Sequence, residues 1–163
     1  MPIPGHLTLV GEVQGPIEGS CEIEGREDTI LVQAAKHCVE LPADENGMPA
    51  GRRVHKPMMI TKEVDKSTPK LYQVMSSGER LTEAQIDWYR LDGTGDEELY
   101  YTVLLENALI VKIESWVPDV LDKANAIYGC MENIWFTYES IRWTWEEDGI
   151  EYEEHWGADQ NNQ

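Results

Sequence analysis

The chain has 163 residues, with 13 Lys and Arg against 31 Asp and Glu, so its formal net charge at pH 7 is -18. A surface this acidic repels nucleic-acid phosphate and anionic lipid headgroups, because binding to both depends on basic side chains. Hydrophobic residues make up 41% of the chain, which is too many for an acidic disordered segment. We therefore expect one folded domain over residues 1–156 and a polar, flexible tail at residues 157–163, with no nucleic-acid partner and no membrane insertion.

The N-terminal residues show neither the basic stretch nor the apolar core of a signal peptide. The longest apolar runs are also far shorter than the ~20 residues that a membrane helix needs. We expect folding in the cytosol, and any export to proceed without a cleaved signal. Cys21, Cys38 and Cys130 are odd in number and far apart, which favours buried, reduced thiols over a disulfide framework.

Apolar and polar residues alternate with a period of two along much of the chain, which is typical of half-buried strands. Asn-Gly and Asp-Gly pairs suited to tight turns lie at residues 46–47, 92–93 and 148–149. These patterns predict a mainly β, mostly antiparallel protein. The alternation is clearest around Leu7 and Leu9, Cys21 and Ile23, Ala84, Ile86 and Trp88, and Val111 and Ile113.

Two apolar triplets near the C-terminal end are out of phase with each other. A regular strand cannot place both triplets on one face, so we predict a β-bulge or sharp bend at Glu139-Ser140. The turn at residues 148–149 then predicts an acidic hairpin that ends in a strand at residues 150–156. The triplets are Ile134, Phe136 and Tyr138 at even positions and Ile141, Trp143 and Trp145 at odd positions.

Residues 65–78 predict one short α-helix. Ser67 or Thr68 can cap its N-terminus, Pro69 suits the first turn, and Gly78 supplies a left-handed stop. Its apolar stripe must dock on the β core, because so short a helix is unstable alone; the stripe is Leu71, Val74 and Met75. Residues 118–128 fit either a second helix or a loop. The polar connection at residues 42–54 is long enough to predict a binding loop or a disordered one.

Side chains that could carry chemistry do not form a recognisable site. The His and Cys residues lack the short spacings of metal sites, and no serine lies in a nucleophile elbow. We therefore expect no enzyme, no metal and no cofactor. Six tryptophans favour core packing, with alternation placing Trp88, Trp143 and Trp145 inside. The alternative is an exposed aromatic platform, which would make the chain a carbohydrate-binding or other small-ligand β-sandwich module.

A central run places a strand, a capped helix and a helix stop in one order. It reads Gly51-Arg-Arg-Val-His-Lys-Pro-Met-Met-Ile-Thr-Lys-Glu-Val-Asp-Lys-Ser-Thr-Pro-Lys-Leu-Tyr72, then Ser76-Ser-Gly78. Together with shorter pieces, this run resembles the Hcp (haemolysin-coregulated protein) family of the type VI secretion system. The resemblance covers residues 2–156 and is poor at residues 116–130. The shorter pieces are Pro2-Ile-Pro4, Glu24-Gly-Arg-Glu27, Leu104-Leu-Glu-Asn107 and Tyr138-Glu-Ser-Ile-Arg-Trp-Thr-Trp145.

The resemblance implies a β-barrel of two antiparallel sheets with one short flanking α-helix, assembled into homohexameric rings. Such rings would stack into a hollow tube, similar to a phage tail tube, and carry effector proteins in the lumen. The implied partners are further copies of the chain, a VgrG-type spike protein, a contractile sheath and baseplate components. The protein would be cytoplasmic when assembled and then secreted to the extracellular space or a target cell.

In this family the long loop meets the next subunit or ring, which would here be the role of residues 42–54. A rare basic cluster follows the loop tip, and we hypothesise that it faces acidic groups of a neighbouring copy. The alternative, in which these basic side chains are simply solvated, stays open. The candidate inter-subunit or inter-ring contacts are Asp44, Glu45, Asn46, Gly47, Met48, Arg52, Arg53, His55 and Lys56.

Overall fold

The computed structural model describes residues 3–156, in which α1 spans Thr68–Ser77 and a 3₁₀ turn spans Lys123–Asn125. The predicted tail at residues 157–163 lies outside this range. Twelve strands are assigned within it: β1 (Gly5–Gly11), β2 (Gly15–Ile17), β3 (Ile30–Val32), β4 (Ala34–Lys36), β5 (Val39–Glu40), β6 (Val54–His55), β7 (Met58–Glu63), β8 (Leu81–Leu91), β9 (Glu97–Trp116), β10 (Met131–Thr137), β11 (Ser140–Trp145) and β12 (Ile150–His155).

Ten of these strands form two antiparallel sheets that share β9, and β5 and β6 form a separate two-stranded ribbon. The first sheet has the order β2-β1-β8-β9-β11-β12, with β3 also paired to β1, and the second has the order β9-β10-β7-β4. The chain passes between the sheets at β3 and β4, which pair with different strands. The predicted mainly β fold of two antiparallel sheets and one helix is confirmed, although the hydrogen-bonded ladder does not close into a complete barrel.

Strand β9 serves both sheets because its inward face changes along its length. Val103 and Leu105 are buried at odd positions, whereas Ala108 and Ile110 are buried at even positions. The change occurs at Asn107, whose φ of 50° interrupts the regular strand conformation. A second register shift lies opposite β10, and it leaves Val111 exposed while Ile113 packs against the core. The predicted regular alternation through Val111 and Ile113 is therefore wrong at Val111.

The bend predicted near the C-terminal end is confirmed. β10 ends at Thr137, the chain bends at Glu139, and β11 begins at Ser140. Tyr138 before the bend and Ile141 after it are both buried, so the inward parity changes where the sequence predicts. Of the tryptophans predicted inside, Trp88 and Trp143 are half-buried against the core. Trp145 shares a face with Trp143 but is exposed at the end of β11, so the prediction is wrong for Trp145.

Helix α1 begins and ends as predicted, with Ser67 at the N-cap, a proline in the first turn and a left-handed Gly78 after the last turn. The Ser67 side chain does not cap the helix; instead its backbone N donates to Asp65 Oδ1 at 2.9 Å. Leu71 and Val74 are fully buried and close one end of the core. Met75, the third member of the predicted stripe, is half-buried.

Two smaller predictions differ from the structure, and of the two alternatives for residues 118–128 the structure shows the loop. The segment around Cys21 and Ile23 is a loop rather than a strand, and Cys21 is buried in it beside the His6 ring. Cys38 and Cys130 are free but exposed, so the prediction of buried thiols holds only for Cys21. Residues 118–128 form a loop with a single 3₁₀ turn.

A buried ion pair lies beneath the N-terminus of α1. Lys62 of β7 and Glu132 of β10 are direct cross-strand partners, and neither side chain is exposed to solvent. Lys62 Nζ also lies 3.1 Å from an Asp65 carboxylate oxygen, and the Thr68 hydroxyl donates to Glu132 at 2.8 Å. Removing such charges from water costs several kcal/mol per ion, so each depends on its partners. The network therefore joins the start of the helix to the second sheet.

Replacing one member of this pair should be strongly destabilising. Lys62→Met leaves Glu132 as an uncompensated buried charge, and we expect a loss of about 3–5 kcal/mol in the free energy of unfolding, measured in urea. The double variant Lys62→Met with Glu132→Leu should recover most of that loss. Lys56→Met, which breaks the exposed 3.5 Å pair with Glu40, should change stability by no more than about 0.5 kcal/mol. A double variant as unstable as the single one would contradict this account.

Candidate assembly surfaces

The long loop connects β5 to β6, which pair as a two-stranded ribbon, and it projects from the end of that ribbon. Residues 41–53 between the two strands are all exposed. The tip is nevertheless ordered, because Asp44 Oδ1 accepts hydrogen bonds from the backbone N of Asn46 and of Met48, each at 2.9 Å. Gly47 has the φ of 78° that this turn requires. The predicted long loop is thus a projecting turn with its own internal hydrogen bonds.

Five side chains, which we call the loop clamp, fix the base of this loop: His37, Arg53, His55, Tyr138 and Glu154. The Tyr138 hydroxyl lies 2.8 Å from His37 Nε2 and 2.6 Å from His55 Nδ1. Glu154 pairs with Arg53, and its Oε1 lies 3.3 Å from His55 Nε2. The clamp therefore joins both ends of the loop to the bend after β10 and to β12.

Burial and neighbouring charges shift the pKa values of His37, Tyr138 and Glu154. Burial lowers the pKa of His37, and the neighbouring His55 lowers it further, so the His37 imidazole is neutral at pH 7. Burial raises the pKa of Tyr138, to which the charge of Glu154 adds. Burial alone would raise the pKa of Glu154, but the contacts with His55 and Arg53 lower it. Tyr138 therefore stays a phenol that can donate to one imidazole and accept from the other.

The predicted contact residues fall into two groups. Asp44, Glu45, Asn46, Gly47 and Met48 lie together at the exposed tip. The basic cluster does not lie on one surface: His55 is buried, Arg53 pairs with Glu154 of its own chain, and Lys56 lies 3.5 Å from Glu40 across the ribbon. Arg52 is exposed and also makes contacts within the chain. A role for this cluster between copies stays a prediction.

The sequence pointed to Arg53 and His55 but not to the clamp residues that they meet, which are His37, Tyr138 and Glu154. His37 and Tyr138 are 101 residues apart, as are Arg53 and Glu154. No local pattern links such distant positions. The available signal was the parity change at Tyr138, which marked a corner but not the side chains that meet there.

A concavity of about 340 Å³ opens between the sheets, at the end of the molecule away from α1. Met58 at the start of β7 lines it, whereas Lys62, near the end of the same strand, lies under the helix. The full lining is Ala35, Lys36, His37, Met58, Trp88, Tyr100, Tyr101, Val103 and Trp143. Within residues 3–156 no group of three His, Cys, Asp or Glu side chains is arranged to hold a metal ion. In the same range no helix is long and apolar enough to span a bilayer.

Comparison with known proteins identifies relatives along nearly the whole chain. The family model described as "Type VI secretion system effector, Hcp" matches residues 7–145. The "Major exported protein" of Pseudomonas aeruginosa is 40% identical over 166 aligned positions, which cover 96% of both chains.

Solved structures give the same result. One described as an Hcp protein is 30% identical, with a TM-score of 0.89 and coverage of 94% of this chain and 97% of that one. Hcp1 of Escherichia coli is 34% identical, with a TM-score of 0.85 and coverage of 94% and 99%. The secreted protein Hcp3 of Pseudomonas aeruginosa is 36% identical, with a TM-score of 0.79 and coverage of 94% and 97%. The family match, the 40% identity and these superpositions agree with the resemblance of the central run, and the chain therefore belongs to the Hcp family of type VI secretion system proteins.

Proposed function

We propose that this chain is the structural subunit of the inner tube of a type VI secretion system. It forms homohexameric rings that stack into a hollow tube, holds effector proteins in the lumen, and is secreted with the tube. The observation that carries the proposal is the full-length match to a relative whose name describes an exported protein. Hcp is a family of structural, secreted proteins and not of enzymes.

Open strand edges support assembly into a ring. Among residues 3–156, β12 pairs only with β11, β2 only with β1 and β4 only with β7, so both sheets end in edge strands. A ring of identical subunits joined head to tail needs two different surfaces on each copy, and two different edges meet that need. Such edges favour unwanted pairing in a monomer, which gives a further reason for them to be covered.

The long loop is suited to the contact between rings. Its internal hydrogen bonds and the loop clamp hold it in one conformation, so little entropy is lost when it docks. Met48 places an exposed apolar side chain at the tip. The loop contacts would be made by Asp44, Glu45, Asn46, Gly47, Met48 and Arg52, with Arg53, His55 and Lys56 supporting the loop base.

A tube subunit would also contact other components of the secretion system and would move from the cytoplasm to the outside of the cell. The tube would assemble in the cytoplasm, meet a VgrG-type spike, the sheath and baseplate components, and leave without a cleaved signal peptide. The alternative, a module that binds a carbohydrate or other small ligand, draws on one observation: Trp88 and Trp143 line the concavity. That alternative predicts a monomer, so oligomeric mass separates the two functions.

Native mass spectrometry should find a particle of about six chains, and electron microscopy should find stacked rings at high protein concentration.

We expect Met48→Asp to keep the ring mass and to shorten or abolish the stacks, because it adds a charge to an apolar contact. Val13→Asp is the matched control, since Val13 is also an exposed apolar side chain but lies in the turn between β1 and β2. A wild-type chain that stays monomeric would overturn the proposal, and normal stacks in Met48→Asp would remove the loop tip from it.

Acid should loosen the loop clamp. The pKa of His37 is lowered in the folded chain, so its contribution to stability is complete above the unfolded value of about 6.5 and is lost as the pH falls below it. Each such group changes the free energy of unfolding by at most about 1.4 kcal/mol per pH unit. We expect urea stability at fixed protein concentration to fall between about pH 7 and pH 5, and His37→Gln to reduce the slope. The exposed His155→Gln is the control, and an unchanged slope in His37→Gln would contradict the assignment.

Salt should promote assembly. Six chains of charge -18 repel one another, and raising the salt from about 0.1 M to about 1 M shortens the screening length from about 10 Å to about 3 Å. We expect the fraction of assembled particles in sedimentation velocity runs to rise over this range. A fall would mean that attractive ion pairs between copies outweigh the repulsion.

A further inference from the structure

The loop between β9 and β10 presents an apolar knob, which we define as Val120 and Leu121. These side chains are 80% and 88% exposed. The backbone around them is held in place, because Asp119 Oδ1 accepts from the N of Leu121 and Asp122 Oδ1 accepts from the N of Ala124, each at 2.9 Å. Two adjacent aliphatic side chains fixed outward into water are typical of a surface that another protein covers.

The concavity at the other end of the molecule has the complementary shape and chemistry. Its wall is aromatic and apolar, with Trp88, Tyr101, Val103 and Trp143 contributed by the first sheet and Met58 by the second. Its volume of about 340 Å³ is at the lower end of the ~300–1,000 Å³ range of ligand sites, so it has room for aliphatic side chains. We call it the aromatic pocket.

The charges at the two sites are also complementary. Asp119 and Asp122 flank the knob, and each is exposed. Lys36 lines the aromatic pocket, is exposed, and forms no ion pair within residues 3–156. In a chain with so few basic residues, a lysine beside an apolar pocket favours an acidic, aliphatic occupant over a basic one.

The two sites cannot meet within one chain. The knob follows Trp116 at the end of β9, beside the end of β7 and the start of α1, whereas Tyr100 and Tyr101 of the aromatic pocket lie near the start of β9. A contact between different surfaces of identical subunits is heterologous, so it propagates from copy to copy and either closes a ring or extends a stack.

We propose that the knob of one copy inserts into the aromatic pocket of the next copy, with Asp119 and Asp122 close to Lys36. The inference rests on the proposed function, because the occupant of the pocket is a second copy of this chain. It identifies which two surfaces of neighbouring copies meet. The contact buries two of the most exposed aliphatic side chains of residues 3–156 against the half-buried Trp88 and Trp143.

Directed cross-linking tests the contact. Cys38→Ser and Cys130→Ser first remove the two exposed thiols. Leu121→Cys and Lys36→Cys are then made separately in this background, with tags of different mass, and the two proteins are mixed and mildly oxidised. We expect a disulfide-linked dimer of one Leu121→Cys chain with one Lys36→Cys chain. Val13→Cys in place of Leu121→Cys is the matched control and should give no such product.

A second variant in the natural background keeps the test independent of the cysteine changes. Leu121→Ser should weaken self-association about tenfold or more, because it removes the apolar side chain that fills the pocket. Val13→Ser should leave self-association unchanged. Assembled particles with no cross-link and a normal Leu121→Ser variant would overturn the knob and pocket contact while leaving the tube function standing. A strictly monomeric chain would overturn both, and a monomer whose pocket tryptophans respond to a saccharide would assign the pocket to a small ligand instead.

Discussion

The fold depends on one strand of twenty residues that belongs to two sheets. Strand β9 pairs with β8 and β11 along its first half and with β10 along its second. A strand can change sheets only if its inward face changes too, and Asn107 and Val111 provide the two local irregularities that do this. The same strand also sets the distance between the two ends of the molecule, with the aromatic pocket near its start and the apolar knob after its end.

The acidic composition constrains how the few basic residues are used. Lys62 lies in the interior with Glu132, Arg53 supports the loop base through Glu154, and Arg26 lies 2.6 Å from Glu97 while stacking on Tyr89. Each of these cations joins segments that are far apart in sequence. The strongly negative surface is therefore accompanied by internal ion pairs that hold the sheets, the helix and the loop in place, which leaves few cations to mediate contacts between copies.

The sequence predicts features that depend on nearby residues better than features that depend on contacts between distant segments. The helix and the corner at Glu139 were predictable because their signals, a proline, a glycine and a change of parity, lie within the segment itself. The register shift in β9 at Val111 was not, because it arises from pairing with β10, which comes later in the chain. The loop clamp was missed for the same reason, and the alternation around Cys21 misled because a loop buries that thiol against His6. The family resemblance supplied the fold where local patterns did not.

The position of Glu154 has a consequence for cooperativity. It lies on β12, an edge strand, yet its carboxylate holds Arg53 and His55 at the base of the loop. Any contact that holds β12 in place therefore also favours the loop conformation that the clamp fixes. By thermodynamic reciprocity, a partner that captures the loop must favour the ordered β12 edge by the same free energy. Lateral and axial association of identical subunits would then be linked events, in which each completed layer is a better template for the next.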